Sequence, residues 1–279
     1  MADANANEPT IQGQLPLYKK PEPLSVQTHK GKGLTYTDRP FDFLKETHFV
    51  PLTVGEFGQA ASRFPIIFLG DNRTPVAAMG LQAGANLFVN PENGFYEDNC
   101  YLPAFVRRYP FVAASHGDES DRFTVCVDAG SHLFSDKPQE PFFQEDGNPT
   151  PFLERAIDYV RRFENDVAAT TEFVKELRDL DLFDQQQTNF QPRDNEGNPV
   201  GEPQVVASYW GVSGDKLKAL PAEQLVKLRD STALGAIYAH MISMAQWDFL
   251  VQRAARRQGQ TQGEFQVPPS APPPPSPEL

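Results

Sequence analysis

The hydrophobic period of this chain changes once, near residue 150, and that change limits the fold more than any other feature. Before it, apolar residues come in short runs: Ile66-Ile67-Phe68-Leu69, Val76 to Leu81, Asn86 to Val89, Phe111 to Ala114 and Phe123 to Val127. Turn chemistry separates several of them, as in Gly70-Asp71-Asn72 and Gln82-Ala83-Gly84. Connections this short do not leave room for helical crossovers, so the strands pair antiparallel. After residue 150 the spacing becomes helical. Phe152, Ala156, Val160, Phe163, Val167, Phe173, Val174 and Leu177 mark a helix from Pro151 to Leu182. An irregularity at Ala168 to Thr171 predicts a bend or a break there. A last helix is predicted from about Thr232 to Arg256, with Leu234, Ile237, Tyr238, Met241, Ile242 and Phe249 on one stripe. Arg253, Arg256 and Arg257 complement the dipole at its end.

Smaller signals fill the gaps. Val54 to Phe64 reads as a helix stopped by Pro65, and Ser131 to Pro138 as the close of the sheet. Phe190 to Pro203 is a polar loop, and Val205 to Trp210 a strand that returns to the sheet. Leu217 to Leu220 makes a short helical turn, and Pro221 opens another helix at a position that tolerates proline. The fold class is therefore α+β: a mainly antiparallel sheet over 40–140 packed with a helical region over 150–257, together one domain spanning 15–257. Residues 15–47 are read as an extended arm with short strands. Residues 1–14 are small and polar and are expected to be disordered. Residues 258–279 carry a proline run that favours polyproline II over any packed structure.

Composition narrows function mainly by exclusion. The formal charge is −12, the wrong sign for neutralising phosphates, so no nucleic-acid partner is expected. No apolar run is long enough to span a membrane, and the first residues lack the basic and apolar regions of a secretory signal. The expected location is the cytoplasm by default, with non-classical export left open. Cys100 and Cys126 sit in apolar surroundings and are read as buried reduced thiols.

The residues that could carry chemistry do not assemble into a motif. His29, His48, His116, His132 and His240 contain no pair at the i, i+4 spacing of a helical metal site. The acidic loop His116-Gly117-Asp118 is read as solvated, and Asp194-Asn195-Glu196-Gly197, which lacks the spacing and terminal Glu of an EF-hand, as a turn. His240 lies beside the apolar stripe and is read as a satisfied core histidine. Acidic neighbours argue against an activated Cys100 thiolate. No catalytic residue, cofactor or metal site is assigned. The densest stretch is Asn99 to Phe111, which holds Tyr101, Arg107, Arg108 and two prolines. If Pro103 starts a short helix, Arg107 and Arg108 point about 100° apart. One can then hold a buried carboxylate while the other faces solvent.

The same stretch, Tyr101-Leu102-Pro103-Ala104-Phe105-Val106-Arg107-Arg108-Tyr109-Pro110-Phe111, resembles the SapC-like bacterial family. So do Phe64 to Phe68, Pro75 to Leu81, Asn86 to Val89, Thr171 with Phe173, Leu217 to Leu220, and Gly235 to His240. The acidic Glu97-Asp98-Asn99 departs from the family pattern, where an aromatic is expected. The resemblance links the chain to a surface-layer locus by name, and to genes near outer-membrane receptors and halogenase-like flavoproteins. It implies a non-catalytic accessory protein of cell-surface assembly or nutrient uptake with a protein partner. Tyr101, Arg107, Arg108 and Trp210 are the expected contact residues. The alternative is a small-ligand protein or enzyme with an arginine-clamped pocket between sheet and helices.

Overall fold

The structure, a computed structural model, describes residues 16–115, 123–194, 196, 198–259 and 267. The expected disordered start, the His116 loop and all of the proline-rich tail except Gln258, Gly259 and Val267 lie outside the described residues, as does part of the Asp194 turn. In chain order the strands are β1 (Pro21–Pro23), β2 (Gly33–Leu34), β3 (Phe49–Pro51), β4 (Ile66–Leu69), β5 (Thr74–Ala78) and β6 (Phe111–Ser115). They continue as β7 (Phe123–Asp128), β8 (Phe134–Ser135), β9 (Glu140–Pro141), β10 (Phe183–Phe190) and β11 (Gln204–Val212). The helices are α1 (Val26–His29), α2 (Phe57–Ala60), α3 (Ala104–Arg107) and α4 (Pro151–Asp179), then α5 (Gly214–Ala219), α6 (Ala222–Asp230), α7 (Ala233–Ser243) and α8 (Gln246–Arg257).

The α+β class holds, with every strand pair antiparallel, but the strands divide among three sheets rather than one. Their orders are β1-β7-β6, β10-β11-β4-β5-β3 and β8-β2-β9. The N-terminal arm supplies β1 and β2, so it belongs to the sheets. The segment Ser131 to Pro138 does not close the expected sheet. Its strand β8 pairs with β2 in the third one. In the five-stranded sheet every residue of β4 and β5 is buried. A strand covered on both faces reads as a continuous apolar run, which is why Ile66 to Leu69 lacks alternation.

The helical half differs from expectation at two places. α4 runs for 29 residues without a break. Thr150 caps its start by accepting from Leu153 N, with Pro151 in the first turn. At the irregular stretch Thr170 Oγ1 donates to Asp166 O (2.6 Å) and accepts from Val54 N (2.9 Å). The polar residue sits inward because it is a bridge to the segment before α2, so the apolar stripe skips a position while the helix continues. Conversely, the expected last helix is two helices, separated at Met244 and Ala245. There the backbone N–H groups reach back three residues, to Met241 O and Ile242 O, and the four-residue ladder ends. Ser243 Oγ donates to His240 O (2.6 Å) and accepts from Ile66 N (2.9 Å), which fastens the end of α7 to β4.

One apolar cluster draws on the five-stranded sheet, α4, α7 and α8 together. Phe57, Phe64, Phe68 and Phe105 are fully buried in it. Phe68 meets Phe183 and Phe57 edge to face at 4.9 and 6.2 Å. Tyr238, Ile242 and Phe249 of the expected stripe instead face solvent.

Asn86 to Val89 forms no ladder strand beyond the bridge Val89 to Tyr96. α8 holds this loop from outside. Arg257 donates to Asn86 O (2.5 Å) and Val89 O (2.7 Å). Arg253 forms a two-pronged pair with Glu97 and lies 4.4 Å from the Phe88 ring centroid. The acidic departure in the Asn99 region thus finds its partner on the last helix. Arg257→Ala is expected to cost about 1–2 kcal/mol, because buried carbonyls lose their donors. Hydrogen exchange should show 86–98 opening first, and unchanged protection there would refute the pinning role.

Candidate functional site

The site grows from a capping problem. Pro103 precedes α3 and offers no side-chain cap. Glu56, 48 residues before Ala104, supplies one: its Oε1 accepts from Ala104 N (2.6 Å) and from the Tyr101 hydroxyl (2.9 Å). Its Oε2 accepts from Thr53 N and Thr53 Oγ1, both at 2.9 Å, completing a capping box at the turn Val54–Glu56. The carboxylate is nearly buried and wholly engaged. The Tyr101 hydroxyl is pushed well above the usual phenol range by burial first, then by the Glu56 charge. It therefore stays protonated, donates to Glu56 and accepts from Arg107 Nη2 at 3.2 Å. Arg107 also lies 5.7 Å from the Tyr101 ring centroid and 5.6 Å from that of Tyr159.

The helical turn of α3 separates the two arginines. Arg108 points inward, 4% exposed, with Phe105 and Phe163 at 4.5 and 4.3 Å from its guanidinium. Nη1 donates to Glu164 Oε1 at 3.2 Å. Burial raises the Glu164 carboxyl above its ordinary value, and the Arg108 charge opposes that rise. Burial likewise lifts the Tyr18 phenol to about 12, again against Arg108. The Tyr18 hydroxyl donates to Phe111 O at 2.7 Å. Just after it, buried Asp128 accepts from Lys19 N (3.1 Å), Lys20 N (2.7 Å), Gly130 N (3.1 Å) and the Tyr109 hydroxyl (3.3 Å). Arg108 and Asp128 thus lock the N-terminal arm over α3 and β7. Both charges face the interior, away from the protein surface.

Arg107 is the outward one, and it edges a pocket of about 360 Å³. Phe41, Phe43, Leu102, Val106, Tyr109 and Leu133 supply much of the lining, with Tyr36 and Glu140 at the arm side. Phe43 stacks on Tyr109 at 3.9 Å, which stiffens one wall. Tyr36 is 71% exposed. Its hydroxyl donates to Glu140 Oε1 (2.9 Å) and its N–H to Gln139 Oε1 (2.7 Å). The structure thus brings Tyr101 and Arg107 together, turns Arg108 away, and places Trp210 elsewhere. Trp210 pairs with Phe68 and Gln185 within the sheet, and the Arg73 guanidinium stacks on its ring at 3.6 Å. Glu56, Tyr36, Phe41 and Phe43 were not singled out from the sequence. Only Glu56 had a local signal, the Thr53-x-x-Glu56 spacing.

His240 Nδ1 donates to Ile66 O (2.7 Å) and Nε2 accepts from Val212 N (3.0 Å), so it is a satisfied core histidine. Cys100 and Cys126 are free thiols pushed up by burial, Cys126 to about 11. Among the described residues there is no group of three or more His, Cys, Asp or Glu that could hold a metal ion, and no helix long and apolar enough to cross a membrane.

Fold and site together define an α+β protein, with three antiparallel sheets among the described residues and an apolar pocket edged by Arg107. The chain belongs to the SapC family, whose model matches residues 24–250. No curated protein and no solved structure matches it.

Proposed function

We propose that this SapC family protein is a non-catalytic binding protein, accessory to cell-surface assembly or nutrient uptake, and that it makes its contact at the pocket mouth around Tyr36, Phe41, Phe43 and Arg107. The observation that carries this reading is an open apolar pocket with a largely exposed tyrosine standing at its rim. Exposed aromatic anchors beside a pocket are typical of recognition surfaces. A small-ligand form of the same reading also has support, because a volume of about 360 Å³ lies within the range of small-molecule sites.

A photo-crosslinking benzoylphenylalanine tests the surface. It replaces Tyr36 in one variant and Phe249, on the exposed face of α8, in another. Irradiation in cells is expected to give a discrete adduct from position 36 and none from position 249. The adduct mass separates a protein partner from a small molecule. Adducts from position 249 alone would move the contact surface to α8.

A further inference from the structure

The polar groups around the pocket are unequally committed. Thr35 Oγ1 donates to Gln139 Oε1 (2.9 Å), and Thr37 Oγ1 accepts from Arg39 N (3.3 Å). The Tyr36 hydroxyl goes to Glu140 and the Tyr109 hydroxyl to Asp128. Both tyrosines therefore offer the pocket their rings. Arg107 differs. Among the described residues its side chain has one hydrogen bond, to the Tyr101 hydroxyl, and no carboxylate lies within ion-pair distance of it. A guanidinium has five donors, so most of its capacity is open.

We propose that this pocket takes a small amphipathic carboxylate, with an aromatic or short acyl body against Phe41, Phe43, Leu102, Val106 and Leu133 and its single negative head on Arg107. The inference rests on the binding reading above and gives that site a ligand class. Charge complementarity sets the head group. One guanidinium matches one carboxylate as a two-pronged partner, whereas a polyphosphate would need several cations. The Glu140 carboxylate also lines the pocket and repels a second anion, which favours a ligand with a single negative head. Glu56 preorganises the clamp. It fixes the Tyr101 hydroxyl, whose oxygen then holds one arm of Arg107 and leaves the remaining donors for the ligand. A side chain held in its bound position loses less entropy on binding.

The probes are 1-naphthaleneacetate and its neutral twin 1-naphthaleneacetamide, titrated by fluorescence into the full chain, with octanoate as an acyl competitor. Wild type is expected to bind the acid about tenfold more tightly than the amide, the ratio expected for one charge-assisted contact at a half-open site. Arg107→Gln should erase the difference, weakening the acid by far more than the amide. Leu102→Asp, which puts a negative charge on the apolar wall, should abolish acid binding with the circular dichroism spectrum intact. Equal affinity for acid and amide in both wild type and Arg107→Gln would overturn the carboxylate assignment while leaving an apolar binding pocket. No binding of any probe at millimolar concentration would overturn the small-ligand inference. An adduct to a protein at position 36 would then still support the binding reading, and absence of any adduct there would sink both.

Discussion

Glu56→Ala is expected to lower the unfolding free energy by about 4 kcal/mol, a large share of a typical domain's stability. Four donors lose their acceptor at once: Thr53 N, Thr53 Oγ1, Ala104 N and the Tyr101 hydroxyl. The two hydroxyls can turn elsewhere, but the two backbone N–H groups cannot. Each orphaned buried donor costs about 1–3 kcal/mol, and the cavity left by the side chain adds to that. Glu56→Gln keeps the shape and one acceptor oxygen but aims its amide donors at other donors, so about half the loss is expected. Tyr101→Phe removes one bond and should cost about 1 kcal/mol. Urea denaturation at neutral pH reads all three. A Glu56→Ala variant within about 1 kcal/mol of wild type would show that water replaces the carboxylate. The folded fraction of Glu56→Gln should also bind naphthaleneacetate more weakly, since the clamp behind Arg107 has slackened.

How much of this was legible depended on whether the signal was local. The change of period near residue 150 gave the α+β class, because β4 is a continuous apolar run buried on both faces and α4 buries a face that its own spacing announces. The same spacing failed for β10. Phe183 and Phe190 are buried at its ends, but the inward positions between them include Gln186 and Thr188. Those side chains bond across the hairpin, to Val212 O and the Tyr209 hydroxyl. A strand whose partly buried positions are polar and satisfied carries no hydrophobic alternation to read. The break between α7 and α8 was equally silent. It has neither glycine nor proline and is set by Ile66, far away in sequence. The two-residue strands β2, β8 and β9 are too short to have a period, so the division into three sheets could not be seen.

The site divides along the same line. That Arg107 and Arg108 face different ways follows from helical geometry within four residues, and Pro103 announced the helix. The pocket's walls come from 34–43, from 102–109 and from 133–152. No local pattern connects Phe43 to Tyr109, and their stacking appears only when the arm is folded back. Trp210 was drawn toward Tyr101 by the expectation that its strand rejoins the sheet. The strand does rejoin, through the pairing of Trp210 with Phe68, but the ring is engaged by Arg73 instead.

Acid should destabilise the protein through His240 from about pH 6.5 downward. The imidazole is 1% exposed and both nitrogens are engaged, Nδ1–H donating to Ile66 O and Nε2 accepting from Val212 N. Only the neutral ring satisfies that pair. Burial depresses its pKa from 6.5 to about 4, and the bond to Ile66 O opposes the drop. Between those values the unfolded chain binds a proton that the folded chain refuses, so stability is full above pH 6.5 and declines toward pH 4. At 1.36 kcal/mol per pH unit the loss comes to about 3 kcal/mol. His29 and His48 are also lowered by burial and add the same sign, whereas the raised Glu164 opposes it. A subtraction isolates His240. His240→Gln keeps a polar side chain but does not titrate, and should cost about 1–3 kcal/mol at pH 7 through the imperfect replacement of one bond. Its stability should then fall less steeply from pH 6.5 to 4, by about 1.4 kcal/mol per pH unit relative to wild type. Parallel stability curves for the two proteins would mean that the imidazole protonates in place, with Val212 N giving up its acceptor. The junction of α7 with β4 and β11 would then be looser than its two short hydrogen bonds imply.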